Sequence, residues 1–407
     1  MPTYRAAWVL PITAPPIRDG WVAVENGLVT GVGPDAPQGS TDLGPAVVLP
    51  ALVNAHTHLE LSYLRGAVAR ADRFLDWIRA IMAARRRYPD PRDQAILDAA
   101  RTAIDEARVS GTGLIGDISN TLVTSPLLAE AGMPARLFYE LLGFNASDPP
   151  GRVAAARADA DAARRAAPAV RVSLAPHAPY SVSPDMFAAI REDLDAHAGD
   201  VSSVHLGESP EEVEFLRRGT GGWPELLREI GVWVDSWRVP ERSPVTYLTD
   251  MGFLDSRVLA VHAVQCSRDD LARLKALGTT VVSCPRSNRH VGVGDPPLET
   301  FFEMGLAVAL GTDSLASVED LNMFKELAAA RKLAPRVPAG DLLESATLRG
   351  ARALGFGGDF GSIEQGKRAS LIAVRLPERV GDVEEYLLSG VEPESIVWLD
   401  SGTCAGF

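Results

Sequence analysis

Lysine is scarce in this 407-residue sequence: Lys275, Lys325, Lys332 and Lys367 are the whole set, and arginine supplies the rest of the 40 basic residues. Any chemistry that needs a lysine before residue 270 is therefore excluded. Cysteine is scarcer still, with Cys266, Cys284 and Cys404 and no CxxC pair. Such usage fits a reduced compartment, and it rules out both a disulfide framework and a cysteine-based zinc site. A metal, if present, must be held by histidine and carboxylate. No apolar run reaches the roughly 18 residues of a membrane span, and Pro11, Pro15 and Pro16 interrupt the N-terminal stretch where a secretory leader would lie. The reading is a cytoplasmic protein without a membrane partner. Positive charge is also in deficit: 53 acidic residues give a formal net charge of −13, which repels nucleic-acid phosphates.

What is present is the composition of a folded protein, 46% apolar and 23% charged. The length allows two or three domains or one enlarged barrel. The first 48 residues alternate short β-like runs (4–10, 21–25 and 28–32) with turns, Asn26-Gly27 being a hairpin signal. Near the other end, 370–375 and 394–399 have the same character, so both termini can join one flanking sheet. Between them, short apolar runs alternate with amphipathic ones such as 74–87, 92–108, 270–277 and 321–333, the pattern of parallel strands each covered by a helix. Eight strand candidates, at 47–54, 113–117, 136–141, 171–175, 201–205, 258–262, 280–283 and 307–311, predict a (β/α)8 TIM barrel. The expected division is a barrel over 50–360 and a small composite β-sandwich from 1–49 and 361–407. The long connection after His205 carries Trp223, Trp233 and Trp237, which fit a lid or pocket wall as readily as packed core.

Active sites of such barrels form at the C-terminal strand ends. There the first strand candidate ends in Asn54-Ala55-His56-Thr57-His58, the fifth in His205, the sixth in His262 and the eighth in Gly311-Thr312-Asp313. Seven histidines in this length predict about 0.1 HxH pairs by composition alone. In extended chain, residues i and i+2 face the same side, so His56 and His58 can offer two imidazole nitrogens to one cation. His205 and Asp313 complete a three-nitrogen, one-oxygen set with water as a further ligand. Asp313 is suited to take a proton from that water, and Glu208, three residues after His205, to give one to a ring nitrogen.

The strand-end set, with Leu49-Pro50-Ala51-Leu52-Val53-Asn54-Ala55-His56-Thr57-His58, His205-Leu206-Gly207-Glu208, Val261-His262, Ser283-Cys284-Pro285-Arg286-Ser287-Asn288 and Gly311-Thr312-Asp313-Ser314, resembles the amidohydrolase superfamily over nearly the whole chain. The likeness is to its adenosine-type and cytosine-type deaminase branch. It implies a TIM barrel with a flanking β-sandwich and hydrolysis by a metal-activated hydroxide. It also implies a proton shuttle at Glu208 and a His262 that hydrogen-bonds the attacking hydroxyl. Many binuclear members carry a carboxylated lysine at the end of strand four. Here that segment reads Arg171-Val172-Ser173-Leu174-Ala175-Pro176-His177, so a lysine-bridged pair is excluded and one divalent metal remains: Zn²⁺ first, with Fe²⁺ or Mn²⁺ as substitutes. Ala51 stands where the family usually has glycine.

The tract His56-Thr57-His58-Leu59-Glu60-Leu61-Ser62 with Phe74-Leu75-Asp76-Trp77-Ile78 is similar to aminofutalosine deaminases of the alternative menaquinone pathway, and more distantly to S-adenosylhomocysteine and methylthioadenosine deaminases. Their shared substrate feature is an adenine ring, and the expected reaction is deamination of 6-amino-6-deoxyfutalosine with release of ammonia. On that reading Glu60 bonds ribose hydroxyls, His177 contacts the substrate beyond strand four, and Arg286 or Arg289 pairs with a benzoate-like carboxylate. Homodimers are common among the proteins it resembles. Competing readings are guanine, cytosine or triazine C–Cl hydrolysis, distinguished by products, and a non-catalytic barrel scaffold, which predicts a damaged site. A phosphate-handling barrel has only the short Val291-Gly292-Val293-Gly294 tract in its favour.

Overall fold

The computed structural model describes residues 2–399; residues 400–407, with Cys404 and the end of the 361–407 segment, lie outside the described residues. Eight parallel strands form the centre: β1 (Leu52–Thr57), β2 (Thr112–Ser119), β3 (Ala135–Leu141), β4 (Val170–Pro176), β5 (Ser202–Leu206), β6 (Val258–His262), β7 (Thr280–Ser283) and β8 (Val308–Leu310). They pair in two arcs, β4-β3-β2-β1 and β5-β6-β7-β8. Buried polar side chains stitch the seams between the arcs. At β8/β1, Asn54 Nδ2 donates to Thr312 Oγ1 at 2.7 Å while the Thr312 N–H donates to Asn54 Oδ1 at 3.1 Å. At β4/β5, Ser202 Oγ donates to the Leu174 carbonyl and Ser173 Oγ to that of Val201, at 3.0 and 2.6 Å. Three of these four bonds engage a backbone group, the Thr312 N–H and the Leu174 and Val201 carbonyls, across the seams.

The covering helices begin where sequence says they should. Ser183, Ser209 and Ser243 are each followed by proline, and each hydroxyl accepts an N–H of the first turn while the proline occupies a position that needs no donor. Among the described residues no helix is long and apolar enough to cross a membrane.

The segment 47–54, expected as one strand, is two. Ala46–Pro50 pairs antiparallel with Leu371–Arg375 in a flanking five-stranded sheet, and β1 starts only at Leu52. The break falls at Pro50-Ala51, where the Ala51 N–H turns to the Ser370 carbonyl and that of Leu52 to Gly111. A second, four-stranded sheet of Leu28–Gly33, Trp21–Glu25, Thr3–Arg5 and Thr41–Asp42 packs over the first, with Tyr4, Val22, Val24, Val48, Leu371 and Ala373 between them. The Asn26-Gly27 hairpin forms as expected, both residues at positive φ. The run expected over 4–10 breaks into Thr3–Arg5 and Trp8–Val9, which serve different sheets.

Candidate active site

β1 delivers His56 and His58 to the barrel mouth, where the buried Asp117 side chain fixes the backbone just beyond them. Asp117 Oδ1 accepts the Leu59 N–H at 2.8 Å and its Oδ2 the Thr124 hydroxyl at 2.6 Å. Gly311 lets β8 approach: a Cβ there would meet the His56 backbone at 2.7 Å. The following turn places Asp313 at φ 63, a conformation costly for a non-glycine residue, held by its N–H on the His56 carbonyl (3.0 Å) and its carbonyl on Thr57 Oγ1 (2.9 Å). Asp313 Oδ1 then lies 3.8 Å from His56 Nε2 and 3.5 Å from His58 Nε2. On the other arc, His205 Nδ1 donates to the His177 carbonyl at 3.0 Å, which leaves Nε2 free. His56, His58 and His205 each bring a ligand nitrogen within 4.8 Å of the others.

Burial decides the charges. It holds His56 and His58 well below the ordinary 6.5, with neighbouring imidazoles adding to the effect, and it lowers His177, His205 and His262 to about 4. All five are neutral at neutral pH, as metal ligation requires. His56 is fully buried, yet neither of its ring nitrogens has a hydrogen-bond partner in the protein, an arrangement that costs free energy unless something else binds there. Tetrahedral ligands at 2.0–2.1 Å from an ion are about 3.4 Å apart. The His–Asp separations match this, so the donor set fits a divalent cation.

The acid–base groups sit opposite. Glu208, buried, is pushed well above 4.5 by desolvation and by Asp313, which favours its protonated form. The backbone beneath it is fixed by Glu212, whose carboxylate accepts the N–H groups of Gly207 and Glu208 at 2.9 Å each. Glu208 Oε1 is 3.6 Å from His262 Nε2. Burial also raises Asp313, while the Ser287 hydroxyl, donating to Oδ2 at 2.6 Å, stabilises its ionised form.

The remaining expected residues are placed less uniformly. His177 stands in the ring, its centroid 4.9 Å from that of His205 and its Nδ1 2.6 Å from Ser181 Oγ. Glu60 is at the mouth, but its carboxylate already accepts Ser119 Oγ (2.7 Å), the Asn120 N–H (3.0 Å) and Thr121 Oγ1 (2.7 Å). Arg286 lines a cavity of about 570 Å³ with Val68, His290, Leu315 and Ser317, but its guanidinium is taken by Glu326 and Asp320 at 2.5 to 2.8 Å. Arg289 pairs with Asp295 at the surface. The tryptophans divide: Trp223 is buried and stacks on Tyr180 at 3.8 Å, next to His177, while half-buried Trp233 and Trp237 pack on Phe144 and Phe215. Sequence reasoning passed over Glu140, Asn288 and Asp117. Glu140 is at the end of β3, 3.5 Å from His205 Nδ1, and the strand-end test applied to that strand would have flagged it.

The fold and this mouth define a member of the amidohydrolase family, whose sequence model matches residues 47–397. The chain is 33% identical over 330 residues to the aminodeoxyfutalosine deaminase of Deinococcus radiodurans, covering 78% of this chain and 76% of that protein. The solved structure of Helicobacter pylori aminofutalosine deaminase in complex with methylthio-coformycin matches with a TM-score of 0.83 at 27% identity, over 95% of each chain. An adenosine deaminase from Xanthomonas campestris with bound zinc matches with a TM-score of 0.81 at 27% identity, over 97% of this chain and 90% of that one.

Proposed function

We propose that this chain is a metal-dependent hydrolase that deaminates an adenine-type nucleoside, 6-amino-6-deoxyfutalosine being the expected substrate, and releases ammonia. The observation that carries this is a buried acid, Glu208, held well above its ordinary 4.5, beside three imidazoles and a carboxylate that converge at the mouth, with both ring nitrogens of His56 unpartnered in the protein. His56, His58, His205 and Asp313 would hold the cation, zinc being the metal bound in the Xanthomonas structure. When bound, the ion makes a water acidic enough to serve as nucleophile at neutral pH.

The chain's own residues do the rest. Glu208 gives its proton to a ring nitrogen, which withdraws electrons from the amino-bearing carbon and opens it to water. Asp313 Oδ1 receives a proton from that water, and Oδ2 stays anchored on Ser287. His262, whose Nε2 faces the same space, bonds the incoming oxygen. The tetrahedral carbon then collapses: Asp313 passes its proton to the amino group, which leaves as ammonia, and the hydroxyl proton goes to Glu208 as the C=O bond forms, restoring both groups. His177 and the Tyr180–Trp223 stack border the nucleoside. The reading also assigns residues 50–360 to the barrel and 1–49 with 361–407 to the flanking domain, and places the enzyme in the cytoplasm.

The test is ammonia release from purified, metal-analysed protein against 6-amino-6-deoxyfutalosine, methylthioadenosine, S-adenosylhomocysteine, adenosine, guanine and cytosine. Turnover restricted to adenine nucleosides is expected. Release from guanine or cytosine alone would overturn the adenine assignment.

A further inference from the structure

His262 ends β6 in an unusual backbone: it sits at φ 75 and Ala263 at φ 51, both in the left-handed region that non-glycine residues avoid. A strained, fully buried imidazole persists only where its surroundings over-determine it. One of those surroundings is Asn288, itself wholly buried, in the short helix Pro285–His290. Its backbone is held at both ends, its N–H donating to the Cys284 carbonyl at 3.0 Å and its carbonyl accepting from Val293 at 3.1 Å. Its side-chain Oδ1 lies 2.8 Å from His262 Nδ1.

A carboxamide oxygen only accepts, so this contact requires the proton on Nδ1 and leaves a lone pair on Nε2. That Nε2 is buried without a protein partner. The groups that face His262 are Glu208, 3.6 Å away, and the rings of His205 and His56, with centroids at 5.5 and 5.7 Å. The residue before Asn288 in the same helical turn is Ser287, whose hydroxyl orients Asp313.

We propose that Asn288 is a positioning residue that locks His262 in its Nδ1–H tautomer, so that Nε2 enters the reaction as a hydrogen-bond acceptor for the attacking water. One turn of helix, through Ser287 and Asn288, thereby aims both acceptors of the water's protons. In the other tautomer Nε2 would present N–H to the water and compete with it as a donor. The catalytic consequence rests on the deaminase reading, whereas the tautomer does not.

The decisive pair of variants is Asn288→Asp, which keeps an acceptor and removes the donor, and Asn288→Leu, which removes both. Histidine ring ¹⁵N spectra of the labelled full chain, with His262 assigned by His262→Gln, should show Nδ1–H in the wild type and in Asn288→Asp, and a mixture of tautomers in Asn288→Leu. With wild-type metal content in all three, Asn288→Leu should lose roughly 10- to 100-fold in kcat, a fraction of the 10²–10⁴ assigned to a positioned proton acceptor, with KM within about twofold. Asn288→Asp should recover most of that loss. An Nε2–H tautomer in the wild type would overturn the proposal, as would an Asn288→Asp protein that loads metal but is as slow as Asn288→Leu. If Asn288→Leu does not fold, the wild-type and Asn288→Asp spectra decide alone. A wild type that shows Nδ1–H yet turns over no adenine nucleoside sinks the deaminase reading and leaves the tautomer lock standing.

Discussion

The two ends of the barrel both bury charge and polarity, and they treat it in opposite ways. β3 shows this on a single strand: Arg136 lies near its start, 1% exposed, and Glu140 near its end, 6% exposed. At the Arg136 end the charges answer one another. Arg136 donates to the carbonyls of Leu354 and Gly199, and Asp200 is approached by Arg136 at 3.6 Å, Arg157 at 3.0 Å and Arg164 at 2.6 Å. At the Glu140 end the same depth of burial leaves His56 and the outward nitrogen of His262 without partners and drives five imidazoles to their neutral forms. Compensated buried charge is architecture, whereas uncompensated buried polarity is held ready for something that arrives.

The contrast can be broken from either end. The largest effect is expected at the mouth: removing the metal with a chelator, or His58→Ala, should abolish ammonia release while circular dichroism stays native, and restoring zinc should rescue the wild type alone. Glu208→Gln, which keeps shape and loses the transferable proton, should cost roughly 10²- to 10⁴-fold in kcat with metal content unchanged. At the floor, Asp200→Ala removes the carboxylate that Arg136, Arg157 and Arg164 share and should cost about 3–5 kcal/mol in the free energy of denaturant unfolding. Folded Asp200→Ala protein should still load metal, and loss of metal from it would erase the division between the two ends.

A further effect is on pH dependence. Burial raises Asp117 from its ordinary 3.8 to about 8. The folded chain therefore holds a proton there that the unfolded chain has lost, and this group's contribution to stability falls as pH rises from about 4 to about 8. Asp117→Asn should flatten the pH profile of Tm over that window, and an unchanged slope would mean that Asp117 is ionised in the fold.

How much of this was legible in the sequence follows the same line. His56, His58, His205, His262, Glu208 and Asp313 could be read because strand ends and residue types declare themselves, and all six meet at the mouth. Which side chains are already spoken for could not be read. Glu60 and Arg286 have the right charge and the right neighbourhood, but their hydrogen bonds are consumed by Ser119, Thr121, Glu326 and Asp320, partners brought close only by the fold. Asn288 escaped for the converse reason, since a neutral amide in a loop motif gives no hint that a histidine from another strand will lean on it. The 47–54 run showed its apolar character but not its division, because the ladder partner that claims Ala46–Pro50 lies far along the chain.

That division bears on how the enzyme is made. The strand that leads into β1 is fastened through Pro50 and Leu49 to Leu371 and Ile372, at the far side of the barrel segment in sequence. Such long-range pairing is slow and costs loop-closure entropy before it returns any stability. The β1 end of the mouth gains its final support only when this distant strand docks, so a metal-tight site is a late product of folding, and a chain lacking Leu371–Arg375 should bind zinc weakly or not at all.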